Sequence, residues 1–139
     1  MAIFLVLTPT SPARAEPDIN IVVKTVLASE DSKFSDPRIS DLIREISSVF
    51  RYSSYRLLSQ NTLKPGISQT GTASLPEKGI LKITPLRIKD NRVQLDLSIF
   101  RKKRRLFQTE LELLNHSSLT VGGPKYKGGF LLFNISASF

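Results

Sequence analysis

Arg101-Lys102-Lys103-Arg104-Arg105 is the densest run of one chemistry in the chain. Five adjacent cations make an anion-binding surface, the guanidiniums as forked donors and the ammoniums as point charges. The run lies between two stretches of alternating apolar and polar residues, which predicts that it sits at the tip of a β-hairpin. Lys125, Tyr126 and Lys127 form a second cationic group around one aromatic ring, and they join the first if their loop folds nearby. A basic turn also discourages edge-to-edge association, so charge alone does not specify a partner. Each base near an anionic surface contributes about 1 kcal/mol at low salt, about 5 kcal/mol for the run. That corresponds to a dissociation constant of roughly 0.2–1 mM, which screening weakens further. The tip can orient or assist a second contact but cannot hold a partner alone.

Residues for covalent or metal chemistry are sparse. His116 is the single histidine, within Asn115-His116-Ser117-Ser118, and there is no cysteine. A serine beside a histidine is not a triad, because an orienting carboxylate and an oxyanion hole must also converge. One His without Cys does not make an ordinary zinc site. Glu30, Asp31 and Asp36 are too widely spaced for a calcium loop, and helix capping accounts for Asp36. Gly122-Gly123-Pro124 lacks the lysine and hydroxyl of a phosphate loop. No catalytic, cofactor-binding or metal residue is assigned, and a non-enzymatic protein is expected; the competing enzyme reading is a hydrolase around His116. Nucleic acid is disfavoured, since neither a groove-reading helix nor aromatic platforms accompany the bases. Phe100 and Phe107 are expected in the core.

The elements that must position these residues follow from periodicity. Ile19–Ala28 is apolar on both faces, the pattern of a strand inside a sheet. Asp36-Pro37 reads as an N-cap and first helical position. Ile39, Leu42, Ile43, Ile46, Val49 and Phe50 then follow helical spacing, predicting one helix over Pro37–Phe50. Strands are expected at Tyr52–Gln60, at Ile67–Leu75 on an edge, and at Ile80–Ile88 with a bulge or edge position at Pro85. Lys89-Asp90-Asn91 is a hairpin turn. Val93, Leu95, Leu97 and Ile99 face inward, as do Phe107, Thr109, Leu111 and Leu113. Gly122-Gly123-Pro124 and Gly128-Gly129 bracket a flexible loop, and Phe130–Phe139 is the last strand. The expected fold is α+β: one helix on a bent, mostly antiparallel sheet of six to seven strands, or a small sandwich. An aromatic last strand is similar to the terminal signal of outer-membrane barrels, but those need at least about eight strands; a buried closing strand is the reading adopted.

With 139 residues, 40% of them hydrophobic, the chain suits a single domain. No apolar run approaches the ~20 residues of a spanning helix. The formal charge is +8, and it is unevenly distributed: Glu16–Phe50 holds seven acids and four bases, Arg51–Phe139 fifteen bases and five acids. Such a balance favours an acidic protein or an anionic envelope surface as partner. Ala2–Leu7 is a short apolar run, and Ala13-Arg14-Ala15 matches a small-x-small cleavage site, so residues 1–15 read as the remnant of a signal peptide and 16–139 as the domain. No Lys or Arg precedes the apolar run, which suggests a start inside a longer signal.

Phe50-Arg51-Tyr52-Ser53-Ser54-Tyr55-Arg56-Leu57-Leu58, with Val121-Gly122-Gly123-Pro124 and Gly129-Phe130-Leu131-Leu132, resembles small, signal-bearing, β-rich bacterial envelope proteins of no established function. Leu119-Thr120-Val121-Gly122-Gly123 is also similar to the strand-and-glycine segment of secretin channels, without the rest of that domain. These resemblances imply a periplasmic or secreted setting and supply no site residue.

Overall fold

Asn20–Ser29 forms β1, and the apolar character of both its faces requires cover on each side. In the computed structural model, which describes residues 18–139 and, ahead of them, Ile3, β1 is the central strand of a five-stranded sheet. Its neighbours are β3 (Ser54–Leu63) and β9 (Gly129–Ser138), both antiparallel. The edges are β2 (Phe34–Ser35), parallel to β3, and β8 (Ser117–Tyr126). A second sheet of four strands runs β4 (Gly71–Leu75), β5 (Gly79–Lys89), β6 (Arg92–Arg101) and β7 (Arg104–Leu114), all antiparallel. Residues 1, 2 and 4–17, with the Ala13-Arg14-Ala15 motif on which the signal-peptide expectation rests, lie outside the described residues.

The two sheets pack face to face. Ile21 and Val23 of β1, with Leu131, Phe133 and Ile135 of β9, meet Leu81 and Ile83 of β5 and Val93, Leu95, Leu97 and Ile99 of β6. Alternation in β6 thus does what period two predicts: Val93, Leu95, Leu97 and Ile99 are buried and Gln94 and Asp96 face outward. A smaller core lies on the other face of the five-stranded sheet. There Ile39, Leu42 and Ile46 cover Val26, Ala28, Tyr55 and Leu132.

The helix begins where the Asp-Pro pair predicts. Asp36 caps a 3-10 turn, Pro37–Ile39, that leads into α1 (Ser40–Ile46). The Asp36 carboxylate is buried; it accepts the Arg38 and Leu57 N–H groups at 3.0 Å each and the Arg38 guanidinium at 2.6 Å. The Arg38 guanidinium foremost, then these N–H groups, outweigh burial and hold the carboxyl far below the usual carboxylate range. The expected helix is too long, because α1 stops at Ile46 and Val49 is 74% exposed. Ser47 and Ser48 favour caps and turns over helix interiors. Beyond them the Tyr55 hydroxyl donates to the Phe50 carbonyl and accepts the Tyr52 N–H, pinning the chain as it enters β3.

Other expectations need correction. Among the described residues there are nine strands, not six to seven, and they form two sheets, the small-sandwich alternative. Strand count therefore does not argue against a barrel; the division into two separate sheets does. Only Gly71–Leu75 of the expected Ile67–Leu75 strand pairs, because Ser68 turns to donate its N–H to the Pro85 carbonyl at 2.8 Å. The loop expected over Lys125, Tyr126 and Lys127 shrinks to Lys127-Gly128, because β8 runs through Gly122-Gly123-Pro124 to Tyr126 with a bulge between Gly122 and Lys125. The bulge expected at Pro85 is present, between Pro85 and Arg87. Among the described residues no helix is long and apolar enough to cross a membrane.

Candidate functional site

Three strand turns meet at one pole of the sandwich. They are Pro76–Lys78 between β4 and β5, Lys102-Lys103 between β6 and β7, and Lys127-Gly128 between β8 and β9. The first two belong to the four-stranded sheet and the third to the five-stranded one, so the pole is shared by both layers. Glu77 connects them. Its carboxylate is 3.3 Å from the Arg101 guanidinium, and it lines a recess of about 450 Å³ together with Lys125–Phe130. The two cationic groups of the sequence are therefore brought to one end of the molecule.

The five-base run divides by register. Arg101 follows Val93, Leu95, Leu97 and Ile99 on the inward face of β6, so its side chain enters the mouth of the sandwich. It is only 29% exposed, its charge is paired with Glu77, and its Nε is buried without a partner among the described residues. Arg101 thus differs from the other four bases of the run, being paired and partly buried. Lys102, Lys103, Arg104 and Arg105 are exposed. Lys125 and Lys127 are exposed too, with ammonium groups 6.0 Å from the Phe130 ring and 5.4 Å from the Tyr126 ring. Contacts of this kind contribute about 0.5–1 kcal/mol at exposed sites and hold the lysines over aromatic faces. Tyr126 itself is half-buried against the main core.

Backbone conformation separates this pole from the opposite one. The turn Lys102-Lys103 has φ of 50° and 61°, and Lys78 and Lys127 have 60° and 42°. Positive φ at both central positions is the type I′ turn that suits hairpin twist, and Asn and Gly adopt it most readily. At the far pole the positive-φ residues are Asp90, Asn91 and His116, types that tolerate this region. The basic pole instead places lysine at four such positions, against backbone preference. Local strain of this kind collects at functional surfaces. Gly128 has φ 75°, a backbone region that favours glycine, and the Asp31 carboxylate lies against it.

Beside this pole the sandwich opens along one side. β7 and β8 are the outer strands of their sheets, and each bulges near the same level. Leu106 is unmatched between the pairs Ile99↔Phe107 and Phe100↔Arg105; Gly123 and Pro124 are unmatched between Gly122↔Leu132 and Lys125↔Phe130. A gap of about 210 Å³ separates Ile99, Leu106 and Phe107 from Gly122, Gly123 and Pro124. Phe107, expected in the core, is 38% exposed here, and Leu106 is 45% exposed. At Gly123 any Cβ would strike the Phe133 ring, so glycine lets β8 pass over that ring. The adjacent apolar residues Leu106 and Phe107 break the period-two pattern, and that was the sequence signal for the bulge. Glu77 had no such signal, since only the fold brings it to Arg101.

A larger hollow of about 950 Å³ lies on the outer face of the second sheet, where Arg87, Lys89 and Arg92 alternate with Asp90, Glu110 and Glu112. Its charges are mixed, and Gln94 donates to Glu110 at 2.7 Å across the strands. His116 sits on the turn that joins the sheets, with its N–H bonded to the Ala137 carbonyl at 2.9 Å. Phe139 donates its N–H to the Asn115 side chain at 2.8 Å, so this segment closes the far pole. No cluster of three or more His, Cys, Asp or Glu suited to a metal occurs among the described residues. Compared with known proteins, the chain matches no family model, no curated protein and no solved structure.

Proposed function

We propose that this protein is an exported, non-enzymatic binding or assembly module of the bacterial envelope that contacts an acidic partner through its basic pole. The observation that carries the reading is the placement of cationic turns from both sheets at one end. Lys102, Lys103, Arg104 and Arg105 are the contact residues, with Lys125, Tyr126 and Lys127 beside them and Arg101 positioning the hairpin. Lysines held at positive φ support selection for charge over turn stability. The export reading rests on the Ala2–Leu7 run and the Ala13-Arg14-Ala15 motif, and the envelope setting on the resemblance of Phe50–Leu58 and Val121–Leu132 to envelope proteins.

The test replaces the exposed tip with Lys102→Ser, Lys103→Ser, Arg104→Gln and Arg105→Gln. Capture of partner from bacterial envelope extract should be lost without a lower melting temperature, because the four side chains are exposed and fill no part of the core. Unchanged capture would remove the reading. A response that falls steeply with salt and is matched by anionic vesicles would assign the pole to a lipid surface instead.

A further inference from the structure

We propose that the gap between the bulged edges of β7 and β8 is a socket for one bulky apolar side chain of an acidic peptide, whose carboxylates meet Arg104, Arg105 and Lys125 on its rim. The inference rests on the acidic-partner reading of the pole and deepens it. The rim charges are continuous with the lining: Arg104 and Arg105 directly precede Leu106 and Phe107, and Lys125 directly follows Pro124. A turn evolved only for solubility has no use for two apolar residues, 45% and 38% exposed, beside its cations.

Shape decides between receiving and inserting. Leu106 and Phe107 line a recess with Ile99 behind them and do not form a projecting wedge. Its volume of about 210 Å³ exceeds the about 150 Å³ at which an apolar cavity admits benzene, so one Leu or Phe side chain fits. The bulges decide against an added strand. Both edges lose a regular hydrogen-bond ladder at this level, and Pro124 has no N–H to offer. A single anchored side chain flanked by acids is the occupant that satisfies both the apolar floor and the cationic rim. Burial of that side chain should tighten binding by roughly 10- to 100-fold over charge alone.

The experiment uses the full chain and two fluorescent acidic heptapeptides that differ only in a central Phe or Ser. Anisotropy should show the Phe peptide binding at least 10-fold more tightly. The preference should vanish in Leu106→Ser/Phe107→Ser, with binding of the Ser peptide retained. Equal affinities for the wild-type protein would overturn the socket and leave the acidic-partner reading standing, and this comparison does not depend on how the variant folds. Binding of neither peptide below millimolar concentration would overturn both. Tighter binding to phosphatidylserine vesicles, lost in the same variant, would mean that Leu106 and Phe107 enter lipid. Self-association lost in that variant would mean that a second copy occupies the gap. Either of these last outcomes overturns the acidic-peptide socket.

Discussion

Asp36 joins the start of the helix to β3 with one carboxylate. Its oxygens accept from Arg38 and from the Leu57 N–H, so the cap serves a tertiary contact as well as a local one. Its carboxyl is held below the ordinary range, so the folded state favours the ionised form more than the unfolded chain does. The sign follows. The stabilisation is fully present above about pH 4 and is lost as pH falls below that toward the depressed folded value. Asp36→Ala should lower the melting temperature at neutral pH and flatten its decline in acid. Melting curves from pH 7 to pH 2 for both proteins check this; parallel curves would show that Asp36 carries none of the acid sensitivity.

At the scale of the element, the β6–β7 hairpin carries a conflict between turn chemistry and charge. Lys102 and Lys103 occupy positive-φ positions that Asn-Gly would fill with less strain. Lys102→Asn/Lys103→Gly should therefore stabilise the protein by about 0.5–2 kcal/mol in urea denaturation while weakening binding to an acidic peptide. A double variant that is less stable would show that these lysines make contacts beyond the turn. The helix is governed differently. Ser47 and Ser48 end it within three turns, yet Ile39, Leu42 and Ile46 suffice to cover the outer face of β1 and β9 near Val26 and Leu132.

Across the whole molecule, charge is divided along the chain. The acidic excess lies before Arg51, at Glu16 and Asp18 ahead of β1, at Glu30, Asp31 and Asp36 between β1 and the helix, and at Asp41 and Glu45 in α1, and the basic excess lies after it. The exposed cations share the pole with two carboxylates, Glu77 paired to Arg101 at 3.3 Å and Asp31 against Gly128, and over the Debye length of about 8 Å at physiological salt their field is screened. Rim charges of this type act mainly on association rate. Removing Lys102, Lys103, Arg104 and Arg105 should slow association of an acidic peptide about 10-fold or more and leave its dissociation rate nearly unchanged. Stopped-flow traces at two salt concentrations check this, with added salt expected to mimic the variant. A change confined to the dissociation rate would place these side chains inside the buried contact.

Local pattern determined what neighbours in sequence can encode. Burial on both faces of β1, the Asp36-Pro37 start, the alternation of Val93–Ile99, the Asp90-Asn91 turn and the bulge at Pro85 all follow from residues one to four apart. The tertiary structure alone decided which strands share a sheet, because backbone ladders pair distant residues without a side-chain code. It also decided what is covered. Phe107 carries the same inward phase as Leu113, but the sheets part beside it and leave it open, while Leu113 is sealed near the turn where β7 passes into β8. Glu77 meeting Arg101, and the arrival of Lys125–Lys127 at the same pole, depend on two sheets ending together, and that is a property of packing.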